Sequence, residues 1–162
     1  MQPLNEAQTQ RVWSRVMNAQ AAPAAAMENG QENGLTEQRL LTLIDDERRD
    51  SATYLHLAGR MKGKAQAMLR RMAQEEACHA RKLGAIYFLL TGKKVCAAPA
   101  RPECVTCINE TLRQRYEEEH AAHEMYEAMA ETAGTYRCTL ETIAAEECRH
   151  AGMILCILQE CL

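Results

Sequence analysis

Apolar residues recur in steps of three and four along most of the chain, the spacing that lines one face of a helix. Four long stretches carry this pattern. The first begins after Gly34, with Thr36 placed to cap it, and runs to about Arg60; Gly59 and Gly63 bracket the turn that follows. The second covers about Lys64 to Leu90 and stops at Thr91-Gly92, a typical C-terminal signal. Residues 93–103 hold two prolines and form a connector. The third stretch covers roughly Val105 to Thr132, Gly134 marks a turn, and the fourth runs from about Tyr136 to the C-terminus. A shorter helical pattern, residues 4–20, carries Val12, Trp13, Val16 and Met17, and the segment AAPAAAMENGQENG separates it from the rest. The expected organisation is an N-terminal helix and linker over 1–34 and a four-helix bundle over 35–162.

Loop lengths constrain the topology. Tight turns make the first and second helices one antiparallel hairpin, and the third and fourth another. The connector, about a dozen residues at ~3.3 Å each, spans about 40 Å. A helix of about 27 residues at ~1.5 Å each is equally long. The connector can therefore travel the length of the bundle, so the second and third helices run parallel.

Composition agrees with an all-α protein. Aromatics make up only 4% of the 162 residues, while unbranched helix formers abound. The net charge of −3 comes with no basic patch, so nucleic acid is not an expected partner. The opening MQPLNEAQTQ lacks a basic start followed by an apolar run, and the apolar run nearest to a span, Met153 to Leu158, is far too short to cross a bilayer. The expectation is a soluble, cytoplasmic protein without a membrane partner. In that setting the eight cysteines are expected as thiols or metal ligands rather than disulfides.

The inward stripes add chemistry. The second helix presents Met72, Glu76, His79, Leu83, Ile86 and Leu90, and the fourth Ile143, Glu147, His150, Ile154, Ile157 and Cys161. The first presents Leu40, Ile44, Glu47, Ser51, Tyr54 and Ala58, and the third Leu112, Tyr116, Glu119, His123, Tyr126 and Ala130. Glu47 precedes Tyr54 by seven residues, as Glu119 precedes Tyr126, and the hexapeptides EEACHA and EECRHA place Glu-x-x-His at matching depths. The chain reads as two copies of one hairpin. Four carboxylates cannot share an apolar core while ionised unless positive charge lies between them. Glu and His three apart converge from one helix face, so four Glu and two His can hold two divalent ions with positions left open for small ligands.

Around Glu47…Glu76-x-x-His79 and Glu119…Glu147-x-x-His150 the chain resembles the rubrerythrin family of the ferritin-like superfamily, over about residues 36–161. The resemblance implies a four-helix bundle with one crossover, often a homodimer, and a non-haem di-iron centre. Glu47, Glu76, His79, Glu119, Glu147 and His150 would be the ligands, with Glu76 and Glu147 bridging. It also implies an oxidoreductase acting on hydrogen peroxide or dioxygen, or an iron-sequestering module related to ferritins. Iron is the expected metal, with manganese or zinc as alternatives. Rubrerythrins usually carry two Cys-x-x-Cys pairs in a rubredoxin domain; the corresponding pattern is not found here, so an external electron donor is expected. Where relatives place a second Glu on the third helix, this chain has Ala122.

The neighbours of these residues are expected in lesser roles. Asp50 and His123 are candidates for flanking or extra ligands, and Tyr54 and Tyr126 for hydrogen bonds to site carboxylates. Glu75 and Glu146 lie one step off the stripe, as supporting or surface groups. His56 and His120 are expected at the surface. Cys104-x-x-Cys107, with Cys96 upstream, is open to a thiol, redox or metal role. Cys78 and Cys148 are expected to pack beside the stripe, and Cys138, Cys156 and Cys161 in the core or between hairpins.

Overall fold

The computed structural model describes residues 35–160. Residues 4–20, expected to be helical, and Cys161 lie outside them. The described residues form four α-helices: α1 (Glu37–Arg60), α2 (Gly63–Thr91), α3 (Ile108–Thr132) and α4 (Arg137–Glu160), the last preceded by a 3₁₀ turn, Gly134–Tyr136. None is long and apolar enough to cross a membrane.

Local chemistry sets the ends. The Thr36 hydroxyl accepts from Arg39 N at 3.1 Å and so satisfies one free amide of the first turn of α1. Glu37 in that turn and Arg60 in the last complement the helix dipole. Gly92 ends α2 in the left-handed conformation at φ 70°, and its amide returns to Phe88 O. The third helix begins at Ile108, three residues later than the pattern suggests. Cys107 sits before it in extended backbone, with no side-chain cap.

Contacts between helix ends fix the directions. Arg60, at the end of α1, donates to Val105 O just before α3 at 2.6 Å, and Lys64, at the start of α2, pairs with Glu160 at the end of α4. Thus α2 and α3 start at the same end of the bundle and run parallel. The connector returns along α1: Lys93 pairs with Glu37, Arg48 donates to Ala98 O, and Glu103 N donates to Thr53 Oγ1.

The apolar core is divided. One cluster, near the α1 start, contains Leu40, Leu43, Ile44, Leu83, Ile86, Leu140 and Ile143. The other contains Leu57, Leu69, Met72, Leu112, Ile154 and Ile157. Each such side chain, fully buried, contributes ~1.5–3 kcal/mol of transfer free energy. Between the clusters lies a layer of buried Glu47, Glu76, Glu119, Glu147, His79 and His150. The inward stripes place it there, because the polar positions interrupt all four at one depth. Leu90, assigned to the inward stripe of the second helix, lies in the last turn of α2 and is 39% exposed.

Candidate metal centre

Helical geometry brings Glu76 and His79 together on α2, and Glu147 and His150 on α4, because residues three apart share a face. The antiparallel hairpins then set Glu47 of α1 and Glu119 of α3 beside them. Two groups of four result: Glu47, Glu76, His79 and Glu147; and Glu76, Glu119, Glu147 and His150. In each, one ligand atom per residue lies within 4.8 Å of the others, and each group could hold a metal ion.

The two groups share Glu76 and Glu147, and these residues divide their oxygens. His79 Nδ1 lies 2.9 Å from Glu76 Oε2, 2.9 Å from Glu147 Oε1 and 3.3 Å from Glu47 Oε2. His150 Nδ1 lies 2.8 Å from Glu76 Oε1, 3.2 Å from Glu147 Oε2 and 3.5 Å from Glu119 Oε2. The imidazole ring centres are 5.8 Å apart. One nitrogen therefore faces three carboxylate oxygens in each group. A single N–H cannot serve three acceptors, and Glu76 Oε1 and Glu147 Oε1 are buried without an aligned hydrogen-bond donor. A cation is what such an arrangement accommodates, and nitrogen with carboxylate oxygen is the donor set that divalent transition metals take.

The outer nitrogens are held as well. His79 Nε2–H donates to Glu146 at 2.8 Å, and His150 Nε2–H donates to Glu75 at 2.9 Å. Each carboxylate thus orients the imidazole of the other hairpin and leaves its Nδ1 aimed at the cluster. Lys82 pairs with Glu146, and Arg149 and Arg71 with Glu75. These cations, together with the imidazoles, outweigh burial and hold both carboxyls below the usual range. Tyr54 donates its hydroxyl to Glu119 and Tyr126 to Glu47, so both tyrosine bonds also cross between hairpins.

Without metal, protons balance this charge. Burial pushes Glu47 and Glu119 well above the usual carboxylate range. Burial opposes charge on the imidazoles, but Glu147, Glu47 and Glu76 overcome it and push His79 up to about 12. Glu119, Glu147 and Glu76 likewise push His150 up. Burial would raise Glu147 too, yet its bonds to His150 and His79 pull it below the usual range.

The flanking candidates fall elsewhere. Asp50 is not in the cluster: it accepts from Arg115 Nη1 at 2.7 Å. His123 donates from Nδ1 to Ala144 O at 3.0 Å and does not reach the cluster either, because its ring turns toward the α4 backbone. His56 and His120 are exposed. Cys96, Cys104, Cys107, Cys138 and Cys148 are exposed and Cys78 and Cys156 half-buried, all as free thiols; Cys138 is therefore not a core residue. No cysteine joins a metal-competent group among the described residues.

Sequence reasoning missed Arg115, which is 3% exposed and pairs with Asp50, Glu118 and Glu103. Its guanidinium carbon also lies 5.5 Å from the Tyr54 ring centre. The available signal was its spacing, three after Leu112 and four before Glu119 on the inward side of α3. Compared with models of known families, with curated proteins and with solved structures, the chain gives no significant match.

Proposed function

We propose that the cluster holds two divalent ions, iron foremost, and that the protein is a rubrerythrin-type di-iron carboxylate protein with a ferritin-like bundle. The observation that carries this is the sharing of Glu76 and Glu147, each with one oxygen toward either imidazole. A single-ion site would need no such division. Glu47 and His79 would complete one position, and Glu119 and His150 the other. Bound iron would supply two electrons to hydrogen peroxide or dioxygen.

The chain's own residues would do the rest. Glu75 and Glu146 would keep the Nε2–H of each imidazole and leave its Nδ1 to the ion. Tyr54 and Tyr126 hold Glu119 and Glu47 by one oxygen each and leave the other turned toward an imidazole Nδ1. The two apolar clusters exclude water above and below. Electrons would come from an external donor.

Metal analysis of the purified chain and stopped-flow mixing of the Fe(II)-loaded protein with hydrogen peroxide test the proposal. The expected results are two ions per chain and oxidation faster than that of free Fe(II). Less than one ion per chain after incubation would remove the site. Oxidation no faster than free Fe(II), with two ions bound, would leave an iron-sequestering module instead.

A further inference from the structure

The duplication makes α1 and α3 counterparts, and they pack antiparallel, so the groove between them should repeat about a two-fold axis. Leu43 corresponds to Arg115, Glu47 to Glu119 and Asp50 to Ala122, each 72 residues later. The groove does not repeat. Arg115 reaches from α3 to Asp50 on α1, and its guanidinium covers the Tyr54 ring. This closes the half of the groove above Tyr54 and the Glu119 it binds. At the matching register of the other half the facing residues are Leu43 and Ala122, with no ion pair and only a methyl group on the α3 side.

A cleft of about 490 Å³ runs along this groove, and Leu43, Glu47, Ala121, Ala122, Met125 and Tyr126 line its Ala122 half. Tyr54 and Glu119 do not line it. The Glu47 side chain is correspondingly 8% exposed, against 3% for Glu119 and 1% for Glu76. Two other hollows, under the connector, are lined by no cluster residue. Resting on the di-metal proposal, we infer that this cleft is the entry to the cluster, and that a small uncharged ligand arrives on the Glu47–His79 side. Acids outnumber arginines along the cleft, five to three, so its walls offer no positive field to draw in an anion.

The test uses the full Fe(II)-loaded chain and nitric oxide, a small uncharged probe whose association is followed by absorbance. Ala122→Leu fills the entry, and association should slow at least about tenfold while metal content stays at the wild-type level. Ala77→Leu, in a hollow under the connector, should leave the rate unchanged. If far-ultraviolet circular dichroism shows Ala122→Leu unfolded, Ala122→Val takes its place, with an expected slowing of about threefold. A folded, fully loaded Ala122 variant that binds nitric oxide at the wild-type rate overturns the entry, as does equal slowing by Ala77→Leu. A wild-type chain that takes up no metal overturns the di-metal proposal, and the entry with it.

Discussion

The two hairpins carry the same donors in different settings. In both, a Glu from one helix and Glu-x-x-His from the next meet at one depth. In the second hairpin the carboxylate Glu119 is backed by Tyr54 and a buried guanidinium; in the first, Glu47 is backed by Tyr126 and borders an open cleft. The two halves keep the same donor residues, whereas the positions around them differ, Leu43 against Arg115 and Asp50 against Ala122. Donor geometry comes from helical spacing within a hairpin, whereas access and electrostatics come from single residues facing across the groove.

The largest effects should come from the shared carboxylates. Glu76→Ala or Glu147→Ala removes an oxygen from both groups and should abolish paired-metal binding with helicity largely kept. Glu47→Ala or Glu119→Ala should each cost one ion only. Isothermal titration with Mn(II) or Fe(II) separates these outcomes, and tight binding of two ions by both Glu76→Ala and Glu147→Ala would sink the ligand assignment.

Next come the carboxylates behind the imidazoles. Glu75→Gln should weaken the His150 position and Glu146→Gln the His79 position, each by about 10–100-fold in metal affinity. Equal losses at both positions from either variant would show that the halves are not separately oriented.

The Arg115 setting is next. Arg115→Leu gives the second hairpin the residue of the first and strands Asp50, Glu103 and Glu118, so stability should fall by ~2–3 kcal/mol. Adding Asp50→Ala should recover part of that loss, because burial already pushes Asp50 up to about 7 against the pull of Arg115. Urea unfolding of both variants measures the difference, and strictly additive losses would contradict the pairing.

The smallest effect is the sign of a pH dependence. Glu47, Glu119, His79 and His150 all have raised values in the folded chain, so the metal-free protein binds more protons folded than unfolded. Their contribution is complete below the unfolded carboxylate value and fades as pH rises from about there toward the folded values, near 12 for His79. Metal must displace these protons, two from the imidazoles and up to two from Glu47 and Glu119, so its gain in melting temperature should grow with pH. Thermal melts with and without Mn(II) between pH 5 and about pH 8 check the trend; a metal gain that shrinks with pH would reverse the charge balance.

Much of this was legible in the sequence, for a physical reason. Three-and-four spacing determines which residues share a helix face, so Glu76 with His79 and Glu147 with His150 required no tertiary knowledge. Gly92 and Thr36 ended their helices through local backbone chemistry. What faces what across helices depends on register, which spacing within one helix does not contain. That is why Glu75 and Glu146, one step off their own stripes, were not seen to reach the opposite imidazole. The crossing of both tyrosine bonds was hidden for the same reason. Arg115 looked like one more arginine in a charged helix until Asp50 lay opposite it.

The sharing of donors also bears on time. Each four-residue group takes three members from one hairpin and its last carboxylate from the other. An ion bound this way cannot be fully captured until the hairpins have docked, nor leave easily until they part. Metal exchange would then keep the clock of the bundle's own opening, and a protein with a shallow, solvent-facing approach to one carboxylate could still hold its ions for as long as it stays folded.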